Sequence, residues 1–141
     1  MRIPTWIVCS WLALAAAGAH AQSDLDTSPG LVASRSWLGD LDAARYGATW
    51  EEAAPMLKDA MPKVQWETGL ERSRGPMGVV IARKIRLASC TRGTRGTRAD
   101  PEAEICVISY DTQFEGRLSD EQVTVLRGRD GSWRVAAYSL R

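Results

Sequence analysis

Carboxylates, tyrosines and arginines are the side chains that could carry chemistry in this chain, because its single histidine, His20, lies near the start. Beyond it, neither a Ser-His-Asp nor a Cys-His site can form, and the commonest metal ligand is missing. Carboxylates and tyrosines such as Tyr46 or Tyr110 can still act as general acids and bases, but no spacing singles out a pair. We therefore expect no catalytic residue, no metal and no cofactor.

One arginine has an unusual sequence context. Arg83 lies on the same predicted strand face as four apolar residues, which are Val79, Ile81, Ile85 and Leu87. If that face meets the core, the guanidinium needs a carboxylate partner. An ion pair that fixes helix against sheet is favoured over an anion site at the mouth of a pocket. The candidate partners and ligand-binding residues are Asp42, Glu52, Asp111, Glu121 and Tyr46.

Residues 1–21 have the layout of a secretory signal peptide. Arg2 precedes an apolar run at residues 7–17, and Ala19-His20-Ala21 is a small-x-small cleavage motif. The run is shorter than the roughly 20 apolar residues that a membrane span needs. We expect cleavage after Ala21, a periplasmic or secreted protein with no membrane span, a flexible leader at 22–32, and a single domain at 33–141.

The charge balance and the cysteines further limit the classes of function and the compartment that the sequence supports. Arg2 is the one charged residue of the predicted signal peptide, so 17 basic residues face 17 acidic ones in the remainder. Such a balance gives no indication of nucleic-acid binding. Of the three cysteines, Cys9 lies in the predicted signal peptide, so two remain. Cys90 and Cys106 are predicted to form a disulfide, as an even cysteine count in an oxidising compartment favours. Strand alternation places the two thiols on opposite faces, so the pairing requires a bulge or an irregular strand end near Ser89.

The hydrophobic period changes halfway along the chain. The first half of the chain predicts three helices, at 33–47, 49–61 and 62–74. The second of these is expected to begin with a capping box from Thr49 to Glu52. The second half of the chain predicts strands at 79–89, 105–115, 120–127 and 132–140, with a hairpin turn at Asp130-Gly131. The fold class is therefore α+β, with three helices packed on one face of a four-stranded antiparallel sheet in chain order.

Two other features each have a structural and a functional interpretation. The tryptophans of the predicted helices and last strand are expected to anchor the core rather than to form a stacking platform; they are Trp37, Trp50, Trp66 and Trp133. Residues 91–98 repeat Thr-Arg-Gly. A solvated mobile loop is favoured there over a group of arginines that binds an anionic ligand or surface.

Short motifs along the chain form an ordered set. They are Trp37-Leu38, Asp42, Tyr46, Thr49-Trp50, Trp66, Arg74-Gly75-Pro76-Met77-Gly78, Arg83, and Asp130 to Val135 with Tyr138. The set resembles the bacterial family catalogued as domain of unknown function 4019. Ala44 stands where that pattern leads us to expect glycine, and the Thr-Arg-Gly loop with its flanking cysteines departs from it. The resemblance implies no activity, because the family is uncharacterised. The architecture is also similar to the cone of nuclear-transport-factor-like and cystatin-like domains, an analogy of fold alone.

Three function classes remain open. The first is a non-catalytic exported module of the cell envelope that binds a small molecule or an envelope protein. The alternative is a small cone-fold enzyme using carboxylate and tyrosine acid/base chemistry, and the third is a protein held to a surface or partner by the arginine loop. An open pocket with convergent polar groups favours the enzyme, and a filled interior with an exposed apolar patch favours the binding module.

Overall fold

The computed structural model describes residues 28–92 and 104–141. Within these ranges the helices are α1 (Pro29–Asp42), α2 (Tyr46–Glu51), α3 (Pro55–Ala60) and α4 (Lys63–Arg74), followed by a 3-10 turn at Gly75–Met77. The strands are β1 (Val80–Arg92), β2 (Glu104–Phe114), β3 (Leu118–Arg127) and β4 (Trp133–Leu140). The expected signal peptide, most of the leader and most of the arginine loop lie outside the described residues. None of the helices described is long and apolar enough to cross a membrane.

The strands form one antiparallel sheet in the order β1-β2-β3-β4, which confirms the predicted α+β class and strand order. Each strand therefore pairs with its neighbour in the chain. The connection from β3 to β4 turns at Asp130-Gly131, where Gly131 has a φ of 78° that favours glycine. The helices precede all four strands.

The first helix begins earlier than the sequence predicts. The expected leader extends to residue 32, but α1 begins at Pro29, after Ser28, whose hydroxyl accepts a hydrogen bond from the Leu31 amide at 3.4 Å. Proline suits a first helical position because its missing N–H has no helical partner to lose. Leu31 is fully buried, so the end of the expected leader is part of the core.

The predicted second helix is two helices. Thr49 lies inside α2 and its hydroxyl donates to the Tyr46 carbonyl at 2.7 Å, so the expected capping box with Glu52 does not form. Gly47, expected to end the first helix, also lies inside α2. Pro55 begins α3, because a proline that would interrupt a continuous helix is well accommodated in a first turn.

Two irregularities in β1 change which residues face the core. The register shifts between Val80 and Ala82 and again between Ile85 and Leu87. Each shift adds one residue and so exchanges the two faces of the strand. The predicted core-facing set is therefore right only at Arg83 and Ile85: Ile81 is 64% exposed, and Val79 and Leu87 are each 61% exposed. The residues opposite the buried face of β2 are instead Val80, Arg83, Ile85, Ala88 and Cys90.

The second irregularity also brings the cysteines together. Cys90 is paired with Cys106 across the two strands, with a Cα separation of 4.0 Å, and the two form a disulfide. The expected bulge is therefore present, although it lies between Ile85 and Leu87 rather than near Ser89. Cys106 is buried in the core.

The core lies between α1 and the sheet, and tryptophans anchor it. The rings of Trp37 and Trp66 lie 6.0 Å apart, and both are buried. Their indole nitrogens donate to the carbonyl and the hydroxyl of Thr49, at 2.9 and 3.0 Å, which joins α1, α2 and α4. Trp50 and Trp133 are half-buried against the same cluster, as expected for core anchors.

The turn after α1 predicts a stabilising substitution. Ala44 has a φ of 57°, in a Schellman turn where its amide donates to Leu41 and the Arg45 amide donates to Asp40. This backbone costs a residue with a Cβ about 1–2 kcal/mol, and the freedom of glycine in the unfolded chain offsets about 0.4–1 kcal/mol. We expect Ala44→Gly to raise the free energy of unfolding, measured with urea, by about 0.5–1 kcal/mol.

The neighbouring alanine provides the control. Ala43 is also exposed but has a φ of −81°, so Ala43→Gly gains nothing in the folded state and should destabilise by about 0.5–1 kcal/mol. Shifts of the same sign in the two variants would contradict the assignment of backbone strain to Ala44.

Candidate functional site

Four charged side chains meet where the C-terminal ends of α1 and α4 reach the sheet. Asp42 ends α1, Arg74 ends α4, Arg83 lies on β1 and Glu121 on β3. Their side-chain exposures are 0% for Glu121, 4% for Arg74, 15% for Arg83 and 27% for Asp42. The charges sum to zero, as a buried set requires. We refer to these four residues as the charge cluster.

Glu121 is the centre of the charge cluster. Its Oε1 accepts hydrogen bonds from Nη1 of Arg74 and from the Tyr138 hydroxyl, the latter at 2.6 Å. Its Oε2 accepts from Nε of Arg83 at 2.8 Å and from the Thr112 hydroxyl at 2.6 Å. Each oxygen of the buried carboxylate therefore has two donors, which replaces the water it loses on folding.

Asp42 completes the charge cluster on its more exposed side. Its Oδ1 accepts from Nη2 of Arg74 and from Nη2 of Arg83, the latter at 2.9 Å. Its Oδ2 accepts from Nη1 of Arg83 at 2.7 Å, so Arg83 binds this carboxylate in a bidentate manner through both terminal nitrogens. Asp42 thus bridges the two arginines from the helical side, as Glu121 does from the sheet.

The surroundings favour one protonation state in the charge cluster. Burial alone would lower the pKa of Arg83, but Asp42 and Glu121 outweigh it and raise that pKa. Burial raises the pKa of Tyr138, and the charge of Glu121 raises it further, so the phenol keeps the proton that it donates. Throughout the described part of the chain, no buried side-chain nitrogen or oxygen lacks a hydrogen-bond partner.

Three of the six candidates from the sequence come together, namely Arg83, Asp42 and Glu121. The other three lie elsewhere. Glu52 is exposed at the end of α2, Tyr46 packs half-buried against the core, and Asp111 lies 3.6 Å from Arg86. The buried-arginine interpretation is thus right for Arg83, but two of its four suggested carboxylates are not its partners.

Sequence reasoning missed Arg74, Tyr138 and Thr112 as members of the site. Arg74 and Tyr138 do belong to the motifs that resemble the family, so they carried a signal, but not one that indicated burial. Thr112 carried none beyond its place on the buried face of β2. Arg74 also lies over the ring of Phe114, with its guanidinium carbon 5.1 Å from the ring centroid.

A cavity of about 450 Å³ adjoins the charge cluster, between α1 and β1. We refer to it as the α1–β1 groove. The apolar part of its lining is Gly39, which is exposed, Ile85, which is half-buried, and Leu38, which is only 1% exposed. Its other lining residues are Arg35, Asp42, Arg83, Lys84 and Tyr110. The volume lies within the range of about 300–1,000 Å³ that is usual for small-molecule sites.

The tyrosine of the α1–β1 groove is tied to α1. A hydrogen bond of 2.9 Å joins the Tyr110 hydroxyl to the Ser34 hydroxyl, and both residues are buried. Burial raises the pKa of Tyr110, while the bond to Ser34 and the charge of Arg35 oppose that rise. The phenol therefore stays neutral at ordinary pH and holds α1 against β2.

Fold and site together define a small α+β domain in which helices are fixed to an antiparallel sheet by a buried, neutral charge cluster. The chain belongs to a family described as protein of unknown function (DUF4019), whose model matches residues 33–138. This confirms the resemblance drawn from the motifs. No curated protein matches the chain.

The charge cluster predicts a large difference between two neighbouring acidic residues of β3. Glu121→Gln leaves two buried arginines with one carboxylate, so we expect it to lower the free energy of unfolding by about 3–5 kcal/mol. Asp120 is half exposed and 3.2 Å from Arg86, so Asp120→Asn should cost less than about 1 kcal/mol. Urea unfolding monitored by tryptophan fluorescence measures both.

If Glu121→Gln does not fold, Thr112→Val removes one donor to the carboxylate and one acceptor of Arg83 Nε, and should cost about 1–3 kcal/mol. Similar losses for Glu121→Gln and Asp120→Asn would show that the buried cluster does not stabilise the fold in this way.

Proposed function

We propose that this protein is an exported, non-catalytic binding module of the bacterial cell envelope that takes a small molecule in the α1–β1 groove. The observation that carries the proposal is the groove itself. It combines an apolar floor with charged side chains at its edge, and its volume is about 450 Å³. Few precisely placed polar groups around an apolar surface are typical of ligand sites.

The polar groups of the groove are also the feature that favours the alternative, a carboxylate and tyrosine enzyme. A general base needs a lone pair within reach of the substrate proton. Asp42 already accepts three hydrogen bonds from Arg74 and Arg83, and Tyr110 is bonded to Ser34. Because each group is committed to its protein partners, the arrangement suits recognition better than proton transfer.

Export is supported by two independent features. Residues 1–21 have the pattern of a signal peptide, and the Cys90–Cys106 disulfide is of a kind that persists in oxidising compartments. The protein in the envelope or periplasmic fraction should begin at Gln22. Intact-mass spectrometry measures this. The Ala21→Phe variant, which has a large residue at the cleavage site, should keep residues 1–21. Wild-type protein that keeps residues 1–21 would contradict the proposal.

Ligand binding in the groove is tested with two glycines that resemble each other. Gly39 and Gly69 both lie in helices with nothing within 4 Å of an added Cβ, but only Gly39 is among the residues that line the α1–β1 groove. In a fragment screen by NMR, we expect hits that shift the Leu38 and Ile85 methyl signals. Gly39→Leu should abolish these hits because its side chain fills the groove, and Gly69→Leu should leave them unchanged.

Both substitutions should keep or raise stability, since replacing a helical glycine gains about 0.5–1 kcal/mol. A loss of hits is therefore not explained by unfolding. Hits that survive Gly39→Leu, or a screen in which none reaches Leu38 and Ile85, would overturn the proposed site. Turnover of a bound compound that Asp42→Asn abolishes while binding persists would establish the enzyme instead.

A further inference from the structure

We infer that a second cavity of this domain binds an alkylammonium group. The cavity has a volume of about 140 Å³ and lies between α1 and β4, beside the end of α2. We refer to it as the α1–β4 cavity. The inference does not depend on the α1–β1 groove, because the residues of α1 that line the two spaces lie on opposite sides of that helix.

Glu52 gives the α1–β4 cavity a negative charge that the fold does not use. It lies at the C-terminal end of α2, where it is exposed. Within residues 28–92 and 104–141, its carboxylate forms no ion pair or hydrogen bond, whereas the neighbouring Glu51 is bonded to Lys63 at 2.8 Å. Among the described residues that line the cavity, Glu52 is the one acidic side chain. A solvated carboxylate alone specifies no ligand, so the kind of cation depends on what lies beside it.

The surface beside Glu52 is aromatic and apolar. Trp133 and Ala33 line the same cavity, and both are half-buried. The indole ring is held against α1, since a Cβ added at Gly30 would lie 3.2 Å from its Cζ3 atom. Tryptophan is the aromatic side chain that attracts cations most strongly. A metal ion such as Ca²⁺ takes several oxygen ligands, so one carboxylate next to an indole ring suits a cation that carries carbon substituents.

The cationic side chain of the lining does not compete for this carboxylate. Arg134 also lines the cavity, but it alternates with Trp133 and Val135 along β4. Its partner on β3 is Leu126, whereas Val135 is paired with Val125 of the core. The guanidinium of Arg134 is bonded to Asp130 at 2.7 Å, which neutralises its charge.

The size of the α1–β4 cavity limits the ligand to a headgroup. Its volume of about 140 Å³ corresponds to about four or five water molecules at roughly 30 Å³ each. Drug-sized ligands occupy about 300–1,000 Å³. The cavity therefore takes the charged end of a small amine. Both a trimethylammonium and a primary ammonium group fit this description, and the hydroxyl of Ser36 at the exposed side of the cavity is an acceptor that only the primary ammonium can use.

Three probes of similar size separate charge from shape. They are choline, n-butylammonium and 3,3-dimethylbutan-1-ol, the last being the neutral isostere of choline. Each is titrated into protein expressed from the full sequence and followed by the NMR signals of the Trp133 indole N–H and the Ala33 methyl group. We expect choline or n-butylammonium to bind with a Kd about fivefold or more below that of the alcohol. Added salt should weaken the binding of the cations but not that of the alcohol. The tighter cation identifies the headgroup.

Two adjacent glutamates locate the charge. Glu52→Gln should weaken the binding of the tighter cation about three- to tenfold and leave the alcohol unaffected. Glu51→Gln is the matched control, because it makes the same change in net charge at an exposed residue that does not line the cavity. It should leave the affinity unchanged within about twofold. Both residues are exposed, so neither substitution should prevent folding.

The remaining outcomes decide against the inference. Equal affinities for choline, n-butylammonium and the alcohol would show that charge is not recognised. Equal weakening by Glu52→Gln and Glu51→Gln would indicate a general effect of net charge. Cations that leave the Trp133 and Ala33 signals unmoved, or whose binding is abolished by Gly39→Leu in the α1–β1 groove, would show that the α1–β4 cavity is not their site.

Discussion

The fold depends on one buried carboxylate. An isolated charge in a protein interior is unfavourable by several kcal/mol or more, so Glu121 can be fully buried only if cations reach it. Arg74 and Arg83 do so from a helix end and from the edge strand. Two arginines around one carboxylate carry one excess positive charge, and Asp42 at the end of α1 neutralises it. The requirement for neutrality thus fixes two helix ends against the sheet.

The irregularity in β1 links this charge cluster to the disulfide. Arg83 and Cys90 are seven residues apart, and strict alternation would place them on opposite faces of the sheet. The register shift between Ile85 and Leu87 places both on the core face. One local insertion therefore satisfies the ion pairs at one end of β1 and the covalent bond at the other. Its consequence is that Leu87 faces solvent.

The hydrophobic period and the preference for hairpin connections were sufficient to predict the fold class and the strand order, because the period and the hairpins are set by local sequence. The strand pattern around Arg83, with the rule that a buried arginine requires a carboxylate, placed three of the four members of the charge cluster among the candidates, namely Arg83, Asp42 and Glu121. Arg74 could not be predicted as buried, since an arginine before Gly75-Pro76 is typical of a solvated helix end. Its burial results from how α4 meets Phe114 and Glu121, which is tertiary packing. The bulges also lacked a local signal, since no glycine marks them.

The charge cluster and the groove share two residues, Asp42 and Arg83, and this affects the entropic cost of binding a ligand there. Arg83 and Asp42 form one end of the groove wall, and each is fixed by hydrogen bonds to a more deeply buried partner. A wall whose rotamers are already fixed has less conformational freedom to lose on binding, which lowers the entropic cost of association. The same bonds occupy the lone pairs that catalysis would need. Rigidity gained by satisfying buried charge therefore favours recognition at this site, and the stability of the fold and the shape of the groove have a common origin.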